Sequence, residues 1–449
     1  MPSNGTINLR RGFDIKLEGA APKTLSDLAV SAIVAVQPLD FPHITPKMVV
    51  KPGDEVQAGA PLFHDKDHPE LFFTAPVSGE VVEIVRGEKR RILQVRILAD
   101  KKAASRAFQP INPSTLSRDH VVNRLLDSGA WVFIRQRPYS FIARPNESPK
   151  AIFVSGFDSA PLAPDLGFIL EQSGNLFQAG LDALAKLTDG KVHLGLPINA
   201  SSVLQQAQGV TKTIFNGPHP AGNVGVQIHH VDPINPQEVV WYVHAQDVVN
   251  IGRLFAEGVY RPERIVALTG SEATERGYFR TIQGVHLKDL LNNRVKTDQV
   301  RLIQGHVLTG QQTSQDAFLS AYTHQITAIP EGNHHEFLGW LTPGFHKLSL
   351  SRTFFSWLNK NKSYRLDTNL HGEERAFVVT GQYEQVLPMD ILPTYLLKAI
   401  LANDLEKMEQ LGIYEVSEED FALCEFVCTS KINVQKIISD GLEMVRKEG

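Results

Sequence analysis

The chain has two cysteines among its 449 residues. A disulfide framework is therefore excluded, and so is an iron–sulfur cluster, which normally takes four thiolates. Both thiols come late, as Cys424 and Cys428, and a reduced cytosolic setting is expected. Long apolar runs are also missing. The longest, Leu28 to Val36, falls short of the ~20 residues that cross a bilayer. Arg10 and Arg11 are followed by no apolar core, so no signal peptide is expected. Charge of one sign is scarce too. The counts of 45 basic and 49 acidic residues leave a net charge of −4, which excludes a generically basic nucleic-acid binder. These absences predict a soluble or peripheral protein facing the cytoplasm.

The remaining composition, 42% hydrophobic and 21% charged, is that of a globular chain of about three domains. Its first third reads as β structure. VVKPGDEVQAGAPLF (49–63) and TAPVSGEVVEIV (74–85) set short Val-containing runs between Gly and Pro turns. Leu93, Val95 and Ile97 then alternate with Gln94 and Arg96, which suggests a small β-sandwich or barrel. The period then changes. AIFV (151–154), a helical stripe over 174–188, KVHLGL (191–196) and VVWYV (239–243) spell βαβ units and a parallel sheet. RIVALTG (264–270), the short helix VHLKDLLNN (285–293) and VRLIQGHVLTG (300–310) form a third, mixed unit. Residues 311–375 have poor periodicity. The tail predicts helices over 393–402, 404–411, 417–427 and 430–447, with Ser417 and Ser430 as N-caps.

The Pro52-Gly53-Asp54 turn, Val56, Gly59, Leu62 and Ala75-Pro76-Val77-Ser78-Gly79 resemble the biotinyl/lipoyl barrel-sandwich family. His68 stands at or beside the hairpin tip where a carrier needs lysine, and Lys66 is out of step. The resemblance implies the fold without its swinging arm.

A longer resemblance rests on LDFPHITPKMVVKPGDEVQAGAPLFHDK (39–66), APVSG (75–79), RGEKRR (86–91), RQRPYS (135–140), TGSEATERGYFRT (269–281) and ALCEFVCTSKINVQKII (422–438). These are similar to the NqrA family of the sodium-translocating NADH:quinone oxidoreductase. The resemblance implies an α+β multidomain chain. It consists of a barrel-sandwich hybrid (1–105), a Rossmann-like α/β domain related to the NADH-binding subunit of complex I (106–258), a small SLBB-like β-grasp domain (259–375) and a C-terminal helical bundle (376–449). It further implies a peripheral subunit on the cytoplasmic face of the bacterial inner membrane, partnered by the other members of a six-subunit complex and associated with its quinone end.

The residues themselves offer little for a resident cofactor. In the resembled relatives an acidic turn with a glutamate before a proline helps bind flavin and NADH. Here SGFDSAPLAPD (155–165) keeps Asp158, Pro161 and Asp165 but has Ala160 at the glutamate position. GPHPAGNVGVQ (217–227) is not GxGxxG, and a bare turn explains its glycines equally. The S-G-A-T flavin attachment motif of sister subunits is absent. Cys424 and Cys428, four apart on an expected helix, read as a buried pair or as half-buried residues. His64 with His68 has metal-ligand spacing, but Pro69 argues for a loop. His229-His230 and His334-His335 are adjacent, and on strands would point to opposite faces. No FMN, no iron–sulfur cluster, no metal and no catalytic residue are expected.

Quinone is the one ligand with a candidate. A quinone site needs an apolar slot and a few placed donors, and WVFIRQRPYSFI (131–142) fits best. If extended, it sets Trp131, Phe133, Arg135, Arg137, Tyr139 and Phe141 on one side. Arg137 and Tyr139 would donate to a carbonyl, with Phe133 and Phe141 flanking the ring and Pro138 between. One face of an ordinary strand explains the pattern as well. Three readings stay open: a component of the quinone end, a purely structural adaptor, and an NADH- or flavin-binding oxidoreductase that has drifted from its motifs.

Overall fold

The computed structural model of the chain describes residues 5–334, 336–359 and 361–448. The barrel-sandwich hybrid has two faces. One is the sheet Ile33–Val36, Ile92–Ala99, Gly79–Arg86 and Glu55–Val56; the other is Pro46–Met48, Pro61–Asp65 and Phe72–Thr74. Alternation builds it: Val95 and Ile97 are fully buried, whereas Arg96 turns outward to pair with Glu83 at 2.8 Å. Phe63 stacks on Phe73, and Phe73 meets Phe41 at 4.6 Å, closing the core between the two faces. His68 lies in the loop joining Pro61–Asp65 to Phe72–Thr74.

The second module is a six-stranded sheet in the order Thr6–Asn8, Thr211–Asn216, Lys191–Pro197, Ala151–Ser155, Val240–Tyr242, Arg135–Arg137. All pairs are parallel except the last. Ala151–Val154 is buried on both sides, as a parallel strand between helices must be. Helices Gly174–Leu184 and Ala245–Ala256 cross so closely that a Cβ on Gly252 would lie 1.8 Å from the Leu176 carbonyl oxygen. The third module is a mixed sheet in the order Gln311–Thr313, Val300–Gln304, Gln325–Pro330, Glu263–Thr269, Gly277–Ile282, Leu25–Asp27. Helix Leu287–Leu291 contributes its three buried leucines to that module's core. The C-terminal module contains helices Pro393–Leu401, Leu405–Gln410, Ala422–Val427 and Val434–Glu448. This is the four-part architecture the sequence implies.

Several local readings are corrected. Thr6–Asn8 and Leu25–Asp27 pair with the second and third sheets, so the opening residues lace those modules together before the barrel begins. Gln325–Pro330, inside the stretch that lacked periodicity, is a wholly buried inner strand. The strand expected over 300–310 stops at Gln304. His229 and His230 lie on helix Val224–Val231, not on a strand. His335 lies outside the described residues, and His334 faces Asp367 at 3.7 Å. Ser417 does cap, in a reciprocal box with Asp420. The last helix instead starts at Val434, and Asn433 accepts from the Lys436 N–H at 3.1 Å, while Ser430 donates to the Ala376 carbonyl. No helix among the described residues is long and apolar enough to cross a membrane.

Removing the Asn433 cap should cost about 1 kcal/mol. In Asn433→Ala, amide hydrogen exchange over residues 434–448 should speed up several-fold, while Ser430→Ala leaves that helix start unchanged.

Candidate functional site

The segment 131–142 is not one extended strand. Ala130–Phe133 is a 3-10 turn, Arg135–Arg137 is a short strand, and the Arg137–Pro138 bond is cis. Tyr139 and Ser140 follow with φ of 77° and 57°, in the left-handed region that non-glycine residues rarely adopt. A pleated ribbon cannot accommodate this corner, so the side chains proposed to share a face separate into three settings.

Phe133 goes inward. It is 1% exposed, stacks near Tyr260 and carries the Arg264 guanidinium over its ring at 5.3 Å. Among the described residues no ring contact joins it to Tyr139 or Phe141. Arg135 and Arg137 keep the strand alternation around buried Gln136, and both guanidiniums lie against the Tyr242 ring. Arg135 also covers Tyr322 at 4.9 Å. Arg137 is 1% exposed; it donates to Glu419 Oε1 at 2.5 Å and faces Asp420 Oδ2 at 3.6 Å. Burial works against its charge, but Asp420 and Glu419 outweigh it and hold the guanidinium protonated. Asp420, equally buried, is pushed above the usual carboxylate range by desolvation, against the pull of Arg137. Its carboxylate rests on helix Val224–Val231 at Gly225, where a Cβ would come within 2.5 Å of it. Pro138 is buried at the corner.

Tyr139 and Phe141 face outward and half-exposed. Their rings lie parallel, 6° apart, with centroids at 6.0 Å. His43 meets Phe141 edge-on at 6.1 Å, and Arg144 lies over the Phe141 ring at 5.4 Å from its centroid. The last helix supplies Glu443, held down to about 2 by Arg446, together with Lys447 and despite partial desolvation. Desolvation raises the Tyr139 hydroxyl and lowers His43, so near neutral pH the phenol keeps its proton and the imidazole is uncharged. The result is a flat aromatic wall with one hydroxyl donor and one guanidinium beside it.

The crevice of the doubly wound sheet is built differently. In a doubly wound sheet, ligands bind beyond the carboxyl ends of the strands where the order reverses. Here that point lies between Ala151–Ser155 and Val240–Tyr242. It is plugged: His244, just beyond the second strand, stacks on His324 of the third module at 3.6 Å. The open cleft lies one strand over and has a volume of about 740 Å³. Asp158, Asp165 and Glu171 line it against Lys23, which already pairs with Asp165 at 2.5 Å. Asp165 also caps the helix Leu166–Leu170, Asp158 accepts from the Ala160 N–H, and the Pro161 carbonyl accepts from Gln325. This lining is net acidic and does not fit a dinucleotide's phosphates. Nor are the loop glycines free to cradle one, since a Cβ on Gly222 would lie 2.5 Å from the Ser159 nitrogen.

The remaining groups are likewise committed. Cys424 and Cys428 are buried and free; Tyr383 donates to Cys428 Sγ, and burial pushes the Cys424 thiol well up. His64 Nδ1 donates to the Asp65 carbonyl, and His68 sits 3.6 Å from Glu70. His229 accepts from the Asp390 N–H at Nε2, which leaves Nδ1 to donate to Glu415. Sequence reasoning missed one cluster, His244, Asp247 and His324, whose ligand atoms lie within 4.8 Å of one another. Asp247 already receives Arg264 Nη1 at 2.5 Å, and Arg264 is fully buried and also donates to the Ala321 carbonyl. A divalent ion there would face a buried guanidinium, so the donor set does not fit a metal.

Family models match three stretches of the chain: "NqrA N-terminal barrel-sandwich hybrid domain" over 7–100, "NqrA second alpha/beta domain" over 116–260 and "NQRA C-terminal domain" over 265–315. The chain is 38% identical to the NqrA component of the Na(+)-translocating NADH-quinone reductase of Serratia proteamaculans, over 99% of its length and 100% of that protein. The corresponding proteins of Yersinia pestis and Hahella chejuensis are also 38% identical, with the same coverage.

Buried His219 gives this region a pH signature. It is 2% exposed and bonded through Nδ1 to Ser159, and desolvation, with His306 nearby, lowers it from 6.5 to about 3. The unfolded chain takes up that proton first, so this contribution is complete above pH 6.5 and is lost as pH falls toward 3. In His219→Asn, urea unfolding across that window should lose up to about 1.4 kcal/mol per pH unit of slope.

Proposed function

The chain belongs to the NqrA family of the Na(+)-translocating NADH-quinone reductase, and we propose that it forms a wall of the quinone site in that multisubunit complex. The protein sits on the cytoplasmic face and is held there by the membrane-embedded subunits. The observation that carries this reading is the Tyr139–Phe141 pair: two parallel, half-exposed rings flanked by neutral His43 and by Arg144. A planar quinone ring stacks on such a surface in offset fashion. The Tyr139 hydroxyl and the Arg144 guanidinium are then the donors for its carbonyl oxygens. Arg137 and Pro138 hold the corner from behind, and Phe133 supports it from the core. Arg137 acts here as a positioning residue because its charge is taken by Glu419 and Asp420.

No group on this wall stores electrons. The quinone is reduced by a flavin on a neighbouring subunit, and this chain orients the ring and limits water around it. The acidic cleft and the plugged crevice speak against the drifted nucleotide-binding reading.

Titration of the full chain with a short-tailed quinone, followed by Tyr fluorescence or calorimetry, tests the wall. Stoichiometric binding is expected, with Kd raised about tenfold, about 1.4 kcal/mol, in Phe141→Ala. Arg10→Ala should bind as the parent does. Unchanged quinone reduction by a complex carrying Tyr139→Ala and Phe141→Ala would establish the structural adaptor instead.

A further inference from the structure

Between the strand ending at Pro330 and the helix beginning at Tyr383 the chain runs without another strand or α-helix among the described residues. An irregular connection this long inside a compact protein is uncommon and usually functional. Its base is pinned. Thr368 donates to Glu331 at 2.7 Å, the Gly332 N–H donates to Thr368, and Arg365 donates to buried Glu272 at 2.8 Å. Above that base, the segment turns apolar side chains outward. Phe337 is 92% exposed, Leu341 62% and Leu358 63%, and Phe345, Phe355 and Trp357 are more than two-fifths exposed. Phe345 and Phe355 touch edge-on at 5.9 Å, so these rings form a patch.

The charge of this segment is as unusual as its exposure. Residues 337–364 include Lys347, Arg352, Lys360 and Lys362 and no Asp or Glu, in a chain whose net charge is −4. Lys347 is paired with Glu336 at the edge of the segment. Arg352 lies over the Trp357 ring at 5.9 Å, and Lys362 over Tyr364 at 5.7 Å, where neither cation is drawn into an ion pair among the described residues. Lys362 also donates to the Phe345 carbonyl at 2.6 Å, which leaves its charge uncompensated. Trp, Phe and Leu protruding beside Lys and Arg whose charge is not neutralised is the composition of a membrane–water interface: rings and alkyl groups enter the headgroup region while cations face anionic lipid.

We propose that the 337–362 loop is a docking surface for an anionic lipid bilayer, a contact made in addition to those with protein subunits. It rests on the reading of the chain as a peripheral member of a membrane complex. The contact orients the chain on the membrane and adds a second tether to that of its partners.

Co-sedimentation of the full chain with vesicles tests this directly, without quinone or partner subunits, so its failure is separable from failure of the Tyr139–Phe141 wall. The chain should bind phosphatidylglycerol vesicles at about 0.05 M salt, bind several-fold less at about 0.5 M, and bind phosphatidylcholine vesicles tenfold less or worse. The triple variant Phe345→Ser, Phe355→Ser, Leu358→Ser and the charge variant Arg352→Glu, Lys362→Glu should each lose binding at least tenfold. Leu392→Ser with Leu401→Ser, exposed apolar residues on or beside another helix, should retain it. Equal binding to both lipids, no binding to phosphatidylglycerol, or full binding by the triple variant would overturn the proposal. A chain that ignores vesicles but whose triple variant no longer assembles with membrane subunits would make the loop a protein interface instead.

Discussion

The four modules meet along a buried seam of arginines, and its most constrained member is Arg137. Its guanidinium is almost wholly buried, and its charge is met by Glu419 and Asp420 from the C-terminal module. From there the seam runs through Tyr242 to Arg135 and on to Tyr322 of the third module. A second line runs from Asp247 through Arg264 to the Ala321 carbonyl, and the Ala321 N–H donates to Asp40 beside the barrel. Removing one partner from such a pair leaves an uncompensated buried charge, which costs several kcal/mol. Misplaced modules would carry that penalty, so the seam selects one relative arrangement.

The candidate quinone wall inherits its geometry from this constraint. Arg137 anchors the strand end, the chain turns at Pro138, and Tyr139 and Phe141 emerge beside the last helix, whose Glu443 comes within 3.7 Å of His43. The barrel, the second module and the C-terminal helix each contribute to the wall, so its shape depends on the seam behind it. The same economy explains the crevice. His324 of the third module stacks on His244 at the point where other doubly wound sheets take a ligand.

Much of the fold was legible because its signals are local. Pro52-Gly53-Asp54 marks a turn whatever surrounds it, and the apolar run AIFV marks a strand buried on both faces. Local signals failed where a partner far away in sequence decides the outcome. Thr6–Asn8 and Leu25–Asp27 are too short for a period and become strands only because sheet edges are there to receive them. Segment 131–142 alternates like a strand, yet the corner after Arg137 splits its proposed face. Asp247, Arg264, His244 and His324 drew no notice because nothing in a sequence says that a charged side chain will be buried. Ser430 and Asn433 both have capping chemistry, and tertiary contact of Ser430 with Ala376 decides between them.

A double-mutant cycle on Arg137 and Asp420 tests the central claim most directly, read by urea unfolding of the intact chain. Arg137→Met and Asp420→Asn should each destabilise by about 3–5 kcal/mol. Combined, they should cost less than their sum by about 2 kcal/mol or more. Single losses below about 1 kcal/mol, or costs that add within about 0.5 kcal/mol, would show that the modules are held together by something other than this buried charge.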